Sequence, residues 1–234
     1  MVLVSGQTTA TLLGYGTPQL GAYIGISNVL LLSIFIYATA PASGGHVNPF
    51  ITLSAMLIGI CPVSRATLYI AAQTTGSAIA GGLLWGIWGP KRSLELHGGG
   101  CFYDRAQVTS GQVFLNEISG SFALLFLAFG VGLDPRQAQL FGPRLAPLLV
   151  GVSLGIVSFA SSGMIPGYTG AQMNPARCFA FGVVRRDLSG RSLRVMCGRA
   201  KLMPDRSMDL VVWTANCCFV FGGAVSLCAA ASCS

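Results

Sequence analysis

Long apolar runs dominate this sequence and limit the folds available to it. Residues 19–41, 66–89, 112–133 and 145–163 each form such a run, and residues 210–232 form a weaker one that polar residues and cysteines dilute. A helix of about 20 apolar residues spans the roughly 30 Å hydrocarbon core of a bilayer. Four sound spans and one doubtful span therefore predict an all-α membrane protein.

The composition excludes most soluble classes of protein. Only 9% of the 234 residues are charged and 53% are hydrophobic, whereas a soluble domain carries about 25% charged residues. The net charge of +7 comes largely from one segment and therefore implies no nucleic acid or acidic partner. The basic residues of that segment are Arg185, Arg186, Arg191, Arg194, Arg199, Lys201 and Arg206.

Two shorter apolar stretches each follow an Asn-Pro pair, at 48–60 and 174–184. Both are too short to span a bilayer. Asparagine caps helix N-termini and proline fits the first helical turn, so each stretch predicts a half-helix that begins inside the protein. Non-helical backbone at that depth is tolerated only where it is buried or lines a cavity.

The two Asn-Pro pairs lie in matching surroundings. GGHVNP at 44–49 aligns with GAQMNP at 170–175, and the preceding span begins 29 residues before each Asn. This register pairs the span 19–41 with 145–163, and predicts inverted repeats around a midplane site. The span 112–133 has no partner in the first half, so we expect the chain to lack the first spanning helix.

Half-helices that meet N-terminus to N-terminus place two positive dipole ends at one point. The side-chain amides of Asn48 and Asn174 add N–H donors there, and Arg177 adds a guanidinium one turn further on. Cations meet a barrier at such a point, whereas neutral hydrogen-bonding solutes do not. One Asn-Pro pair alone would indicate an ordinary turn, but two pairs in register favour a pore.

Two further residues are candidates for supporting the half-helix loops. Glu117 either accepts backbone N–H groups of the second loop or lies near a membrane interface, and we favour support of the loop. His46, two residues before Asn48, is either a loop anchor or a pH gate, and we favour the anchor.

The sequence gives no support for an enzyme or for a bound cofactor. GxSxG, HExxH and P-loop patterns are absent, and so is the Cys/His spacing of a metal site. We also predict no disulfide framework, because five of the eight cysteines lie beyond residue 190 and two of them are adjacent. The first 18 residues resemble neither a signal peptide nor a spanning helix.

Four separated motifs resemble those of the aquaporin, or major intrinsic protein, family. They are SGGHVNPFITLSAM at 43–56, RATLYIAAQTTGSAIAGGLL at 65–84, FLNEISGSFALLF at 114–126 and TGAQMNPARCFAFG at 169–182. The resemblance covers residues 19–184. It implies a right-handed bundle of six tilted helices and two re-entrant half-helices, a homotetramer with one pore per subunit, and a place in the plasma membrane.

The resemblance also implies a set of pore residues. Asn48 and Asn174 would line the mid-pore constriction, and the selectivity filter would consist of Asn28, Ser162, Ala171 and Arg177. A water-strict filter of this family has bulky Phe and His at the positions of Asn28 and Ser162. Two small polar residues there imply a wider filter.

The signature motifs point to one subfamily. The first reads Asn48-Pro49-Phe50, and the second reads Asn174-Pro175-Ala176-Arg177-Cys178. This combination resembles the X intrinsic proteins of fungi and plants, which implies passage of small uncharged solutes such as glycerol, urea or hydrogen peroxide, with water less certain. Phe50 could instead plug the constriction, and Cys178 is either an inert packing thiol or a reactive one.

These features predict a single aquaporin-like domain over 1–234, with a non-spanning N-terminus at 1–18 and a divergent tail at 185–234. The tail is either a product of mis-splicing, a genuine divergent loop or a basic segment that binds anionic lipid. We predict a passive channel for small uncharged solutes. The alternative is a non-conducting or truncated homologue that is inactive or modulates full-length channels.

Overall fold

A computed structural model describes residues 18–104 and 106–186, and its regular elements there are helices. Four are long: α1 (Pro18–Ser43), α3 (Val63–Glu95), α4 (Ser110–Ala128) and α5 (Gly142–Ser162). Two are short: α2 (Pro49–Leu57) and α6 (Pro175–Arg185). Two 3-10 turns lie at His97–Gly99 and Pro135–Gln139, and α4 continues as a π-helical turn at Phe129–Leu133. The predicted all-α class and both half-helices are confirmed.

The chain forms an integral membrane protein. Among the described residues, three helical segments are long and apolar enough to cross a bilayer: Pro18–Ser43, Ser110–Leu133 and Gly142–Ser162. The predicted span 66–89 lies within α3, which is long but less apolar because polar residues around Gln73 interrupt it. The predicted span 210–232 lies outside the described residues, and the expected absence of a preceding helix stays a prediction.

Helices α1 and α5, which the repeat pairs with each other, pack in close contact. A Cβ atom added at Gly151 would lie 2.0 Å from the Ser33 Oγ, and one at Gly155 would lie 2.2 Å from a Val29 methyl carbon. Glycine at these two positions lets the helix axes approach closely, as is usual in membrane bundles.

The second half-helix is held between α3 and the segment that follows α3. A Cβ atom added at Gly81 of α3 would lie 2.6 Å from the Ala180 carbonyl oxygen of α6. At the end of α6, Arg186 adopts a left-handed conformation and stacks its guanidinium 3.6 Å from the centroid of the Trp85 ring. The first two residues of the predicted tail therefore belong to the packed structure, and residues 187–234 lie outside the described part of the chain.

Candidate functional site

Asn48 and Asn174 cap the two half-helices as the sequence predicts. The Asn48 Oδ1 accepts a hydrogen bond from the Phe50 amide at 2.9 Å. The Asn174 Oδ1 accepts from the amides of Ala176 and Arg177 at 3.1 and 3.3 Å. Pro49 and Pro175 occupy the first helical turns, where the missing N–H costs nothing.

The same two asparagines bond the half-helices to each other. The Asn48 Nδ2 donates to the Met173 carbonyl at 2.8 Å, and the Asn174 Nδ2 donates to the Val47 carbonyl at 3.1 Å. Each side chain thus reaches the residue that precedes its counterpart. The two N-termini meet at one point, and each amide retains a second N–H for another acceptor.

The two loops before the asparagines share a backbone feature. Gly44 and Gly170, which occupy matching places in the repeat, have φ of +80° and +83°, a conformation that favours glycine. Met173 also has a positive φ, of +52°, although it is not a glycine. This conformation costs roughly 1–3 kcal/mol, so the surrounding contacts must hold the second loop in place.

Glu117 supplies such contacts from α4. Its side chain is fully buried, and its Oε1 accepts from the Gln172 amide at 2.9 Å and from the Tyr168 hydroxyl at 3.2 Å. The Oε2 accepts from the Met173 amide at 3.2 Å. The carboxylate therefore bonds the amide of the strained Met173 and the amide of the residue before it.

The first loop has a supporting residue that sequence reasoning missed. The Gln73 amide on α3 donates to the His46 carbonyl and, at 3.0 Å, to the Thr52 Oγ1. His46 is thus held through its backbone, while its ring lies edge-on to Tyr69. The available signal was the polar stretch Gln-Thr-Thr inside an otherwise apolar helix.

A cavity of about 220 Å³ lies beside the two asparagines. Asn48, Asn174 and Arg177 line it, together with largely apolar side chains such as Leu32, Ile36 and Leu154. Arg177 is only 7% exposed, and its Nε and Nη2 have no hydrogen-bond partner among the described residues. Buried donors of this kind normally find an acceptor, but these two nitrogens have almost no accessible surface, so what Arg177 adds to the cavity is its positive charge beside the asparagines.

Comparison with known proteins agrees with this geometry. The family model described as "Major intrinsic protein" matches residues 6–231. The chain belongs to the major intrinsic protein family. It is 33% identical over 186 residues to "Probable aquaporin PIP2-6" of Oryza sativa subsp. japonica, covering 76% of this chain and 64% of that protein. It is 32% identical over 161 residues to "Aquaporin TIP4-4" of Zea mays, covering 69% and 59%.

A third relative, "Aquaporin PIP2-7" of Musa acuminata, is 35% identical over 156 residues, which cover 66% of this chain and 53% of the relative. The matched part of this major intrinsic protein thus spans about half to two thirds of the length of these curated relatives. The X intrinsic subtype stays a prediction from the two signature motifs.

Of the four residues expected at the selectivity filter of this major intrinsic protein, one lines the cavity and three are packed against neighbouring atoms. Arg177 lines the cavity, but Asn28, Ser162 and Ala171 are at most 4% exposed and do not. The Asn28 Nδ2 donates to the Ser158 Oγ at 2.8 Å, one turn from Ser162. A Cβ atom added at Gly170 would lie 2.4 Å from the Ser162 Oγ.

Phe50 packs away from the cavity. It is 2% exposed and forms an apolar cluster with Leu125 of α4, while the neighbouring Ile51 lines the cavity. The structure therefore gives no support to the interpretation of Phe50 as a plug.

The expectation that the cysteines form no disulfide is wrong for one pair. Cys178 forms a disulfide with Cys101, 77 residues earlier, so it is neither a packing thiol nor a free reactive one. The sequence carries no spacing signal for this pair, because only the fold brings the loop after α3 onto α6. Among the described residues Cys61 is a free, buried cysteine, and there is no group of three His, Cys, Asp or Glu residues that could hold a metal.

Proposed function

We infer that this protein is a passive transmembrane channel for small uncharged solutes of the water, glycerol, urea and hydrogen peroxide class. The observation that carries the inference is the reciprocal bonding of Asn48 and Asn174, which joins two helix N-termini beside a cavity. The relatives of this chain are named aquaporins, which supports the same function.

The physical basis of the proposed transport is a site rich in hydrogen-bond donors and positive charge. Two helix N-termini contribute partial positive charge, each asparagine contributes a second amide N–H, and Arg177 contributes a full positive charge. A solute with an accepting oxygen exchanges its hydrogen bonds with water for bonds to these donors. A cation gains no bonds from donors and is repelled by the positive charge of the site. Most of the lining is apolar, so the solute binds weakly enough to leave again.

The remaining roles follow from the resemblance and from the contacts. From the resemblance alone we assign Asn28, Ser162 and Ala171, with Arg177, to a selectivity filter that is wider than a water-strict one, and of these four residues Arg177 lines the cavity described above. Glu117 and His46 are the supports of the second and first loops, respectively. A homotetramer in the plasma membrane is proposed from the resemblance alone, and native mass spectrometry in detergent tests the tetramer.

Arg177→Val tests the channel and its filter together. Removing the guanidinium removes a positive charge and a bulky side chain from the cavity lining, so we expect the ratio of urea to water permeability to change severalfold. Stopped-flow light scattering on proteoliposomes measures both permeabilities.

Arg136→Val is the matched control, because Arg136 is 75% exposed in its side chain and pairs with Asp134 at the surface. It should leave the ratio unchanged. Wild-type proteoliposomes no more permeable than empty liposomes to any of these solutes would refute the channel and favour the non-conducting alternative.

A further inference from the structure

A loop on one face of the protein covers the second half-helix. We call residues 97–104 the strap. The Asp104 amide donates to the Gly167 carbonyl at 2.7 Å. Phe102 and Thr169 exchange hydrogen bonds: the Phe102 amide donates to the Thr169 Oγ1 at 3.2 Å, and the Thr169 amide donates to the Phe102 carbonyl at 3.2 Å. The strap therefore pairs with the loop that leads to Asn174.

The strap is also attached to α6 itself. The Arg185 Nη1 donates to the carbonyls of His97 and Gly100 at 2.9 and 2.8 Å. Gly98, with φ of +73°, lies so close to α6 that an added Cβ would be 2.6 Å from the Phe181 carbonyl oxygen. The Cys101–Cys178 disulfide adds a covalent bond between these attachments.

The Cys101–Cys178 disulfide lies next to Arg177 of the candidate site. Cys178 directly follows Arg177 in the first turn of α6, and both are buried. The hydrogen bonds of the strap can exchange with water, whereas the disulfide cannot, so it limits how far the strap and the first turn of α6 can separate. Arg177 lies next to the point of attachment.

The disulfide and the free cysteine Cys61 lie toward opposite faces of the protein. Because the half-helices meet at their N-termini, their C-terminal ends point to opposite faces. The strap packs on α6, while the free Cys61 follows the C-terminal end of α2. Disulfides persist in oxidising compartments, so the strap face is the one that meets an oxidising compartment.

The geometry points to the Cys101–Cys178 disulfide as a clamp that positions Arg177, so that the intact bond sets the solute selectivity and reduction of the bond relaxes it. This inference rests on the proposed channel function. Both cysteines are positioning residues, because they act through Arg177 and do not touch the solute. Reduction by an added phosphine yields two thiols, and the phosphine takes up an oxygen from water to become its oxide.

The first test asks whether the clamp exists and whether it restrains the strap. Peptide mapping of the purified, non-reduced protein should yield a cross-linked peptide pair containing Cys101 and Cys178. After reduction with tris(2-carboxyethyl)phosphine, backbone hydrogen exchange should quicken in 97–104 and 169–178. Complete alkylation of both cysteines without reductant, or unchanged exchange after reduction, would overturn the clamp.

The second test asks whether the clamp sets selectivity. Reduction should raise the ratio of urea to water permeability of wild-type proteoliposomes severalfold. The double variant Cys101→Ser/Cys178→Ser should show the raised ratio with and without reductant. Cys61→Ser is the matched control, and it should respond to the reductant as the wild type does.

The outcomes separate this inference from the proposed function. A permeable wild type whose ratio is unchanged by verified reduction would overturn the selectivity role and leave the channel standing. A wild type that is impermeable in both redox states would refute the channel, and with it the selectivity role. The exchange measurement would still decide whether the disulfide holds the strap.

Discussion

At the scale of single residues, the site depends on side chains that each serve two purposes. Asn48 and Asn174 cap one half-helix with the oxygen and bond the other half-helix with the nitrogen. These two residues could be identified from the sequence, because the Asn-Pro pair has a local helix-start signature. Gln73 could not be identified from the sequence, because a glutamine within a helix carries no local pattern that indicates which residue it will bond.

Glu117→Gln is the sharpest test at this scale. A glutamine has the same shape but replaces one accepting oxygen by a donating NH2, which would face the backbone N–H of Gln172 or Met173. Leaving a buried donor unpaired costs about 1–3 kcal/mol, so we expect a lower free energy of unfolding by about that amount. Denaturant unfolding in detergent micelles measures it.

The exposed Gln139 provides the control for Glu117→Gln. Gln139→Ala should change the unfolding free energy by less than about 0.5 kcal/mol, as surface substitutions usually do. Equal effects of the two substitutions would show that the carboxylate does not hold the loop.

At the scale of elements, the two half-helices and the long apolar helices could be predicted from run length and from the repeat. The strap could not. Its sequence is rich in glycine and contains His97 and Cys101, but its place on α6 depends on contacts between distant residues, such as those of Arg185 with His97 and Gly100, which are 88 and 85 residues away. Phe50 was equally ambiguous, because its position in the motif does not tell which way the ring points.

The strap should respond to pH through His97, whose ring stacks on Phe102 with centroids 3.9 Å apart. Burial lowers the pKa of the His97 imidazole from its usual 6.5, the Arg185 cation lowers that pKa further, and the Asp104 carboxylate opposes both. The folded strap thus prefers neutral His97. Its stability is complete above pH 6.5 and decreases as the pH falls below that value.

Hydrogen exchange of residues 97–104 checks this prediction. The wild type should lose protection between pH 7.5 and 5.5 relative to His97→Gln measured at the same two pH values, because glutamine does not titrate. An identical response of the two proteins would show that His97 does not affect the strap.

At the scale of the whole molecule, the protein is a membrane bundle built around one joint between two helix ends. The pairing of α1 with α5 through Gly151 and Gly155 follows the repeat that the sequence contains. The filter is the part that sequence alone describes least well, since Asn28, Ser162 and Ala171 are engaged with neighbouring atoms rather than with the cavity.

The central claim is that this joint passes neutral solutes and excludes cations. Its most direct test measures urea and water permeability and proton leak in the same wild-type proteoliposomes, with a pH-sensitive dye trapped inside. We expect urea and water permeabilities well above those of empty liposomes, with a proton leak equal to that of empty liposomes. A raised proton leak, or no gain in either neutral permeability, would contradict it.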